Sequence, residues 1–144
     1  MSLISKTGPQ FGDVMEGDVI PLMKLRPVNR TMLALYAGAS GDYNEIHIDI
    51  DFARKARAPD VFAHGMLSAA FLGRLLTHWV PQPQIRKLAV RFTGITQIGH
   101  IPHLTGRVAQ KYETDGERFV RLEIKCGNQY GEDKVVGEAV VSLV

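Results

Sequence analysis

The segment from His64 to Val80 constrains the fold of this chain more than any other. Met66, Leu67, Ala69, Ala70, Phe71, Leu72, Leu75, Leu76, Trp79 and Val80 fall on almost every side of a helix. A helix that is apolar all round belongs in an interior, and Pro81 cannot continue it. The run is far shorter than the ~20 apolar residues that a membrane span requires. Its cover must therefore come from protein.

The residues that follow read as β-structure. Leu88, Val90 and Phe92 alternate with Lys87, Ala89, Arg91 and Thr93, and Gly94 breaks the alternation as a bulge or bend would. Leu104–Tyr112 reads as a second strand, and Asp115-Gly116 as a hairpin turn. Val120, Leu122, Ile124 and Cys126 then point one way while Arg121, Glu123 and Lys125 point the other. After a turn at Gly127–Glu132, a last strand at Lys134–Leu143 puts Val135, Ala139, Val141 and Leu143 inward. A one-sided antiparallel sheet wrapped around one apolar helix is an α+β layer architecture. One curved sheet does not reach every side of such a helix, so a partner subunit or a flanking loop is expected on the remaining side.

Before the helix lie a short β-like stretch at Asp18–Arg26 and a helix over Val28–Ala39. Val28, Met32, Leu35, Tyr36 and Ala39 form the expected apolar face of that helix, Asn29 its N-cap, and Gly38–Gly41 its end. Asp42–Pro59 is polar and irregular, with a helical turn expected at Asp51–Ala56. With 144 residues and no repeat or linker, the chain is expected to form one domain over residues 1–144. A net charge of +2 without a basic block gives no footprint for nucleic acid. The single cysteine, Cys126, excludes an internal disulfide and a cysteine metal cluster. Met1–Gln10 lacks the apolar core of a secretory signal, so a cytoplasmic location is expected.

The chemistry is concentrated in Ser40-Gly41-Asp42-Tyr43-Asn44-Glu45-Ile46-His47. A carboxylate and an imidazole on one tight loop, Asp42 and His47, can converge on a water molecule. They are the side chains best suited to moving protons near neutral pH. The alternative is an Asx-turn for Asp42 and a surface histidine packed on Phe52. A second feature is His64-Gly65-Met66, where the apolar helix begins. A helix N-terminus offers unpaired N–H groups and partial positive charge, and a glycine there admits a carbonyl oxygen closely. The alternative is that Gly65 merely caps the helix. His47, Asp49, His64, His78, His100 and His103 are ligand types for a metal, but no paired-cysteine or HExxH spacing organises them, so no metal is expected.

Tyr36-Ala37-Gly38-Ala39-Ser40-Gly41-Asp42-Tyr43-Asn44-Glu45-Ile46-His47, together with Ala63-His64-Gly65-Met66-Leu67, resembles the MaoC-like family of (R)-specific enoyl-CoA hydratases and 3-hydroxyacyl-thioester dehydratases. The resemblance runs from the first strand to the C-terminus. It implies a hotdog fold, a curved antiparallel sheet around a long central helix, dimerising through the sheet as a homodimer or heterodimer. It implies trans-2-enoyl thioesters of CoA or acyl carrier protein as substrates, with no metal or redox cofactor. It assigns Asp42 and His47 to the pair that holds water and the Gly65 N–H to the thioester oxygen. Asn44, His64 and Met66 become substrate-binding positions.

Three departures from the family pattern stand out. Glu45 replaces a common proline, Gly73 replaces a serine on the central helix, and the Gly99–Leu104 loop lacks the usual Gly-Asp turn. Arg86, Lys87, Arg91, Arg107 and Lys111 could meet phosphates of CoA or an acidic carrier, or simply form a solvated sheet face. Two rival functions stay open on sequence: a hotdog acyl-CoA thioesterase attacking C1, and a non-catalytic hotdog subunit that binds acyl thioesters in a heterodimer.

Overall fold

The structure, a computed structural model, describes residues 7–144. The first six residues, and with them part of the Met1–Gln10 segment, lie outside the described residues. In chain order the elements are β1 (Val19–Lys24), α1 (Arg30–Ser40), α2 (Ile50–Lys55), α3 (Gly65–Trp79), β2 (Ile85–Phe92), β3 (His103–Thr114), β4 (Glu117–Gly127) and β5 (Asp133–Ser142). The strands form one antiparallel sheet in the order β1-β3-β4-β5-β2. This is the expected hotdog arrangement.

The alternating pattern of β3, β4 and β5 gives the sheet one apolar face. Val120, Leu122, Ile124 and Cys126 of β4 are buried, as are Val135, Ala139 and Val141 of β5, and they pack with Leu72, Leu75 and Leu76 of α3. A second cluster gathers Val28, Leu33, Ala53, Val61, Ala63 and Leu67 beneath α1 and α2. Phe71 packs against both clusters and joins them. Asp115 and Gly116 both take positive φ, 52° and 75°, which is the backbone a two-residue hairpin turn demands between β3 and β4.

Two sequence expectations are corrected, and β2 adds a finding. In α1 the buried residues are Leu33 and Ala37, whereas Leu35 is 70% exposed. Val28, Met32 and Tyr36 of the expected stripe do pack on the second cluster, while Leu33 and Ala37 take the places of Leu35 and Ala39. In α3 the burial is one-sided, because Met66, Ala70, Arg74 and Thr77 face outward. The sheet covers the Leu72–Leu75–Leu76 side, Leu67 packs in the second cluster, and among the described residues Met66, Ala70, Arg74 and Thr77 stay exposed. In β2, Leu88 and Phe92 are 43% and 51% exposed, since this strand ends the sheet and has no neighbour beyond it. Among the described residues, no helix is long and apolar enough to cross a membrane.

Gly137 lies where β5 and β2 approach closely. A Cβ there would stand 2.1 Å from the Ala89 carbonyl oxygen and 2.9 Å from the Val90 Cα. Backbone cannot yield as a side-chain tip can. Gly137→Ala is expected to cost about 1–3 kcal/mol, read as a lower urea midpoint at constant m-value. An unchanged midpoint would show that β2 can move away freely.

Candidate active site

The first half of the site is a loop built by short polar side chains. Asn29 Oδ1 accepts from the Met32 N–H at 2.8 Å and starts α1. Gly41, at φ 77°, ends it with its N–H on the Ala37 carbonyl. Ser40 Oγ then accepts from the Asp42 N–H at 3.1 Å, Asp42 Oδ1 from the Asn44 N–H at 3.3 Å, and Asn44 Oδ1 from the Ile46 N–H at 3.1 Å. That last bond opens the 3₁₀ turn Glu45–His47. Glu45 occupies the first position of the turn, where a proline would be pre-organised and where a carboxylate suits the N-terminal dipole. The turn thus forms without the proline. Asp49 caps α2 by accepting from the N–H groups of Asp51 and Phe52. A stretch without hydrophobic periodicity is therefore ordered by local side-chain-to-backbone bonds.

The second half is the entry to α3. The Ala63 N–H donates to the Thr96 carbonyl at 2.9 Å, and Phe62 bridges to Gln97. Val61, Ala63 and His64 are buried. His64 is the N-cap residue and Gly65 the first helical residue, so the Gly65 N–H is one of the orphan donors at the helix's positive end. A Cβ on Gly65 would meet the Phe92 ring at 3.0 Å, so only glycine leaves that ring undisturbed.

The two halves are stitched together by two imidazoles. The His47 Nδ1–H donates to the Phe62 carbonyl at 2.7 Å. The His64 Nε2–H donates to the Asp42 carbonyl at 3.1 Å. Carbonyls only accept, so both tautomers are fixed. His47 is left with a lone pair on Nε2, and His64 with one on Nδ1. The rings stack, with centroids 3.9 Å apart and planes 27° apart. Tyr36 meets the His64 ring edge-on at 4.8 Å, and Phe62 meets His47 likewise at 5.3 Å. Burial holds the His64 pKa below its ordinary 6.5, helped by the neighbouring His47, while the Asp42 carbonyl and carboxylate pull the other way.

One ligand-type atom each from Asp42, His47 and His64 lies within 4.8 Å of the other two. One nitrogen of each histidine is hydrogen-bonded to a backbone carbonyl, which leaves the other nitrogen of each ring for a second partner.

Asp42, His47, His64 and Gly65 are thus brought to one place. The Asx-turn alternative for Asp42 holds as well, but it uses only Oδ1. His47 packs on Phe62, not on Phe52. Asn44 spends its side-chain oxygen on the loop, His64 spends its Nε2–H on Asp42, and Met66 stands 60% exposed on the open face of α3. The basic residues do not gather here. Arg86 pairs with Glu117, Lys87 with Glu138, and the Lys111 ammonium donates to the carbonyls of Phe11 and Val14. Arg91 and Arg107 line a groove of about 740 Å³ on the sheet face turned away from α3. Burial pushes the Cys126 thiol up to about 11, so it carries no thiolate at neutral pH. Sequence reasoning missed Phe62, Phe92 and Thr96. Their roles are a backbone carbonyl, a ring lid and a backbone anchor, which no residue type advertises.

The model for the MaoC like domain matches residues 15–125. A mitochondrial 3-hydroxyacyl-[acyl-carrier-protein] dehydratase of Arabidopsis thaliana is 30% identical over 144 residues, covering 99% of this chain and 82% of the relative. An (R)-specific enoyl-CoA hydratase of Rhodospirillum rubrum is 29% identical over 135 residues, covering 92% and 90%. The unliganded R-hydratase PhaJ1 of Pseudomonas aeruginosa superposes with a TM-score of 0.80 at 26% identity, over 93% of this chain and 85% of that one.

Because His64 titrates below its unfolded value of 6.5, the unfolded chain binds the extra proton first as pH falls. His64 stabilises the fold fully above that value and less as pH drops toward its folded pKa. The urea midpoint is expected to fall between about pH 7.5 and 5.5, and His64→Phe to flatten that fall. Equal slopes for the two proteins would overturn the assignment.

Proposed function

This chain belongs to the MaoC-like domain family, and from that membership we propose that it is a hydro-lyase. It adds water to trans-2-enoyl thioesters of CoA or acyl carrier protein to give (R)-3-hydroxyacyl thioesters, or runs the reverse dehydration. The observation that carries this reading is the convergence of the Asp42 carboxylate and the His47 imidazole beside the N-terminus of α3.

In the proposed reaction the thioester carbonyl accepts from the Gly65 N–H. Polarisation makes C3 electrophilic and stabilises the enolate that forms when it is attacked. One such donor is typically worth about 10²–10³ in rate. Water sits between Asp42 and His47. His47 offers Nε2 for a water proton, because its Nδ1–H is committed to Phe62. Oxygen bonds to C3, the C2–C3 π electrons move into the enolate, and a proton returned to C2 on the same side completes the addition. Dehydration exchanges the protonation roles. Asn44 supports this by holding the loop and Met66 by flanking the substrate on the open side of α3.

The chain is also proposed to work as a dimer with a second copy of itself. The free edge of β2 offers unpaired backbone groups, and the half-exposed Leu88 and Phe92 lie on that strand. The uncovered face of α3 stands open as well.

Asp42→Asn and His47→Gln are each expected to lower hydration of crotonyl-CoA by about 10²–10⁴-fold with the fold intact by circular dichroism. Near-wild-type rates in both would remove the acid–base assignment, and release of free CoA without hydration would indicate thioester cleavage instead. Leu88→Arg is expected to convert a two-chain particle to a single chain in analytical ultracentrifugation. A wild-type chain that is both monomeric and fully active would overturn the dimer.

A further inference from the structure

The proposed reaction leaves the buried side chain of His64, at the site itself, without a task. His64 is 1% exposed, lies directly before the proposed oxyanion donor, and touches both members of the acid–base pair. We infer that His64 is a positioning residue: its Nε2–H holds the Asp42 backbone and its neutral ring supports the face of His47, registering the loop to the helix that carries Gly65. This rests on the hydro-lyase reading and adds to it a second imidazole, beside that of His47.

The loop and the helix start are 22 residues apart in the chain at the Asp42–His64 bond. Two hydrogen bonds hold the loop to that segment, one from each imidazole: His47 to the Phe62 carbonyl and His64 to the Asp42 carbonyl. Loss of the second would leave Asp42 free to drift relative to Gly65. A drift of about 1 Å at a reacting centre typically costs on the order of 10²-fold in rate.

The neutral state of His64 matters as much as its bond. When His47 takes a proton from water it becomes a cation stacked 3.9 Å from the His64 ring. A neutral ring face attracts that cation, whereas a second cation would oppose it. His64 Nδ1 is buried and has no hydrogen-bond partner among the described residues. Protonating it would create a buried charged donor with no acceptor among the described residues. The titratable groups facing His64 are Asp42 and His47 from the loop and Tyr36 from α1.

The test compares His64→Phe, which keeps a ring and loses the donor, with His64→Gln, which keeps an N–H of similar reach. His64→Phe is expected to lower kcat on crotonyl-CoA by about 10²-fold with KM little changed, and His64→Gln, which keeps the donor and loses the ring, to recover part of it. Wild-type kcat in His64→Phe, a loss confined to KM, or no recovery in His64→Gln overturns the inference. Asp42→Asn and His47→Gln are assayed beside them. If those lose activity while His64→Phe keeps it, only the positioning role fails; if those retain activity, the hydro-lyase reading itself fails. Long-range ¹H–¹⁵N spectra of histidine-labelled wild-type protein give a readout independent of activity and of any variant's folding. They are expected to show His64 as the Nε2–H tautomer, still mostly neutral at pH 6.5, the ordinary histidine value. The Nδ1–H tautomer, or protonation at the ordinary histidine value, overturns it.

Discussion

The seating of α3 in the curve of the sheet is the constraint on which the rest of the molecule depends. Leu72, Leu75 and Leu76 are almost fully removed from water against β3, β4 and β5. Each such leucine stabilises the fold by roughly 1.5–3 kcal/mol relative to an exposed one. That burial fixes the helix axis, and the axis fixes where its first N–H groups point. A helix of fifteen residues held along its length presents its positive end at one place. The Ala63–Thr96 bond and the Phe62–Gln97 bridge then tie the chain entering the helix to the loop after β2.

Against that fixed helix end, the Asp42–His47 loop is mobile in principle and ordered in fact. Its order comes from a relay of short bonds in which Ser40, Asp42, Asn44 and Asp49 each turn the backbone a few residues on. Such bonds are local and individually modest, typically about 1 kcal/mol net each. They shape the loop without saying where it sits. The two histidines do that, one donating from the loop to the helix-entry segment and the other donating back. The site is therefore a closed circuit of hydrogen bonds between two segments that share no sheet pairing. The same pair of rings that aligns the loop also sets the polarity of its chemistry, because each carbonyl contact dictates which ring nitrogen keeps its lone pair.

Much of this was legible in the residues. The alternation of Val120, Leu122, Ile124 and Cys126 gave the inward face of β4, and Asn29 and Gly41 marked the ends of α1 by cap chemistry. Asp42, His47 and Gly65 stood out as groups that can move a proton or hold an oxyanion, and the resemblance of the two motifs chose that reading over an Asx-turn, a surface histidine and a helix cap. What was not legible shares a physical origin. Leu35 reads as core from helical spacing, yet Leu33 is the residue that the second cluster receives. Spacing defines a stripe but not the rotation at which a neighbour takes it. Leu88 and Phe92 read as the apolar residues of an alternating strand, and only the fold shows that this strand is at the sheet's edge and leaves them half-exposed. Lys111 reads as a surface cation, although its ammonium closes two backbone carbonyls of the N-terminal turn.

The sequence by itself determined the elements, the one-sided sheet, the buried helix and the short list of groups able to move a proton, because periodicity, caps and side-chain chemistry are local properties. Only the tertiary structure decided which side of α3 stays open, which nitrogen of each histidine is free, and that His64 faces Asp42 and His47 instead of solvent. Those are facts about distances between residues far apart in the chain. They are set by how the apolar faces of separate elements pack together, and no local pattern carries them.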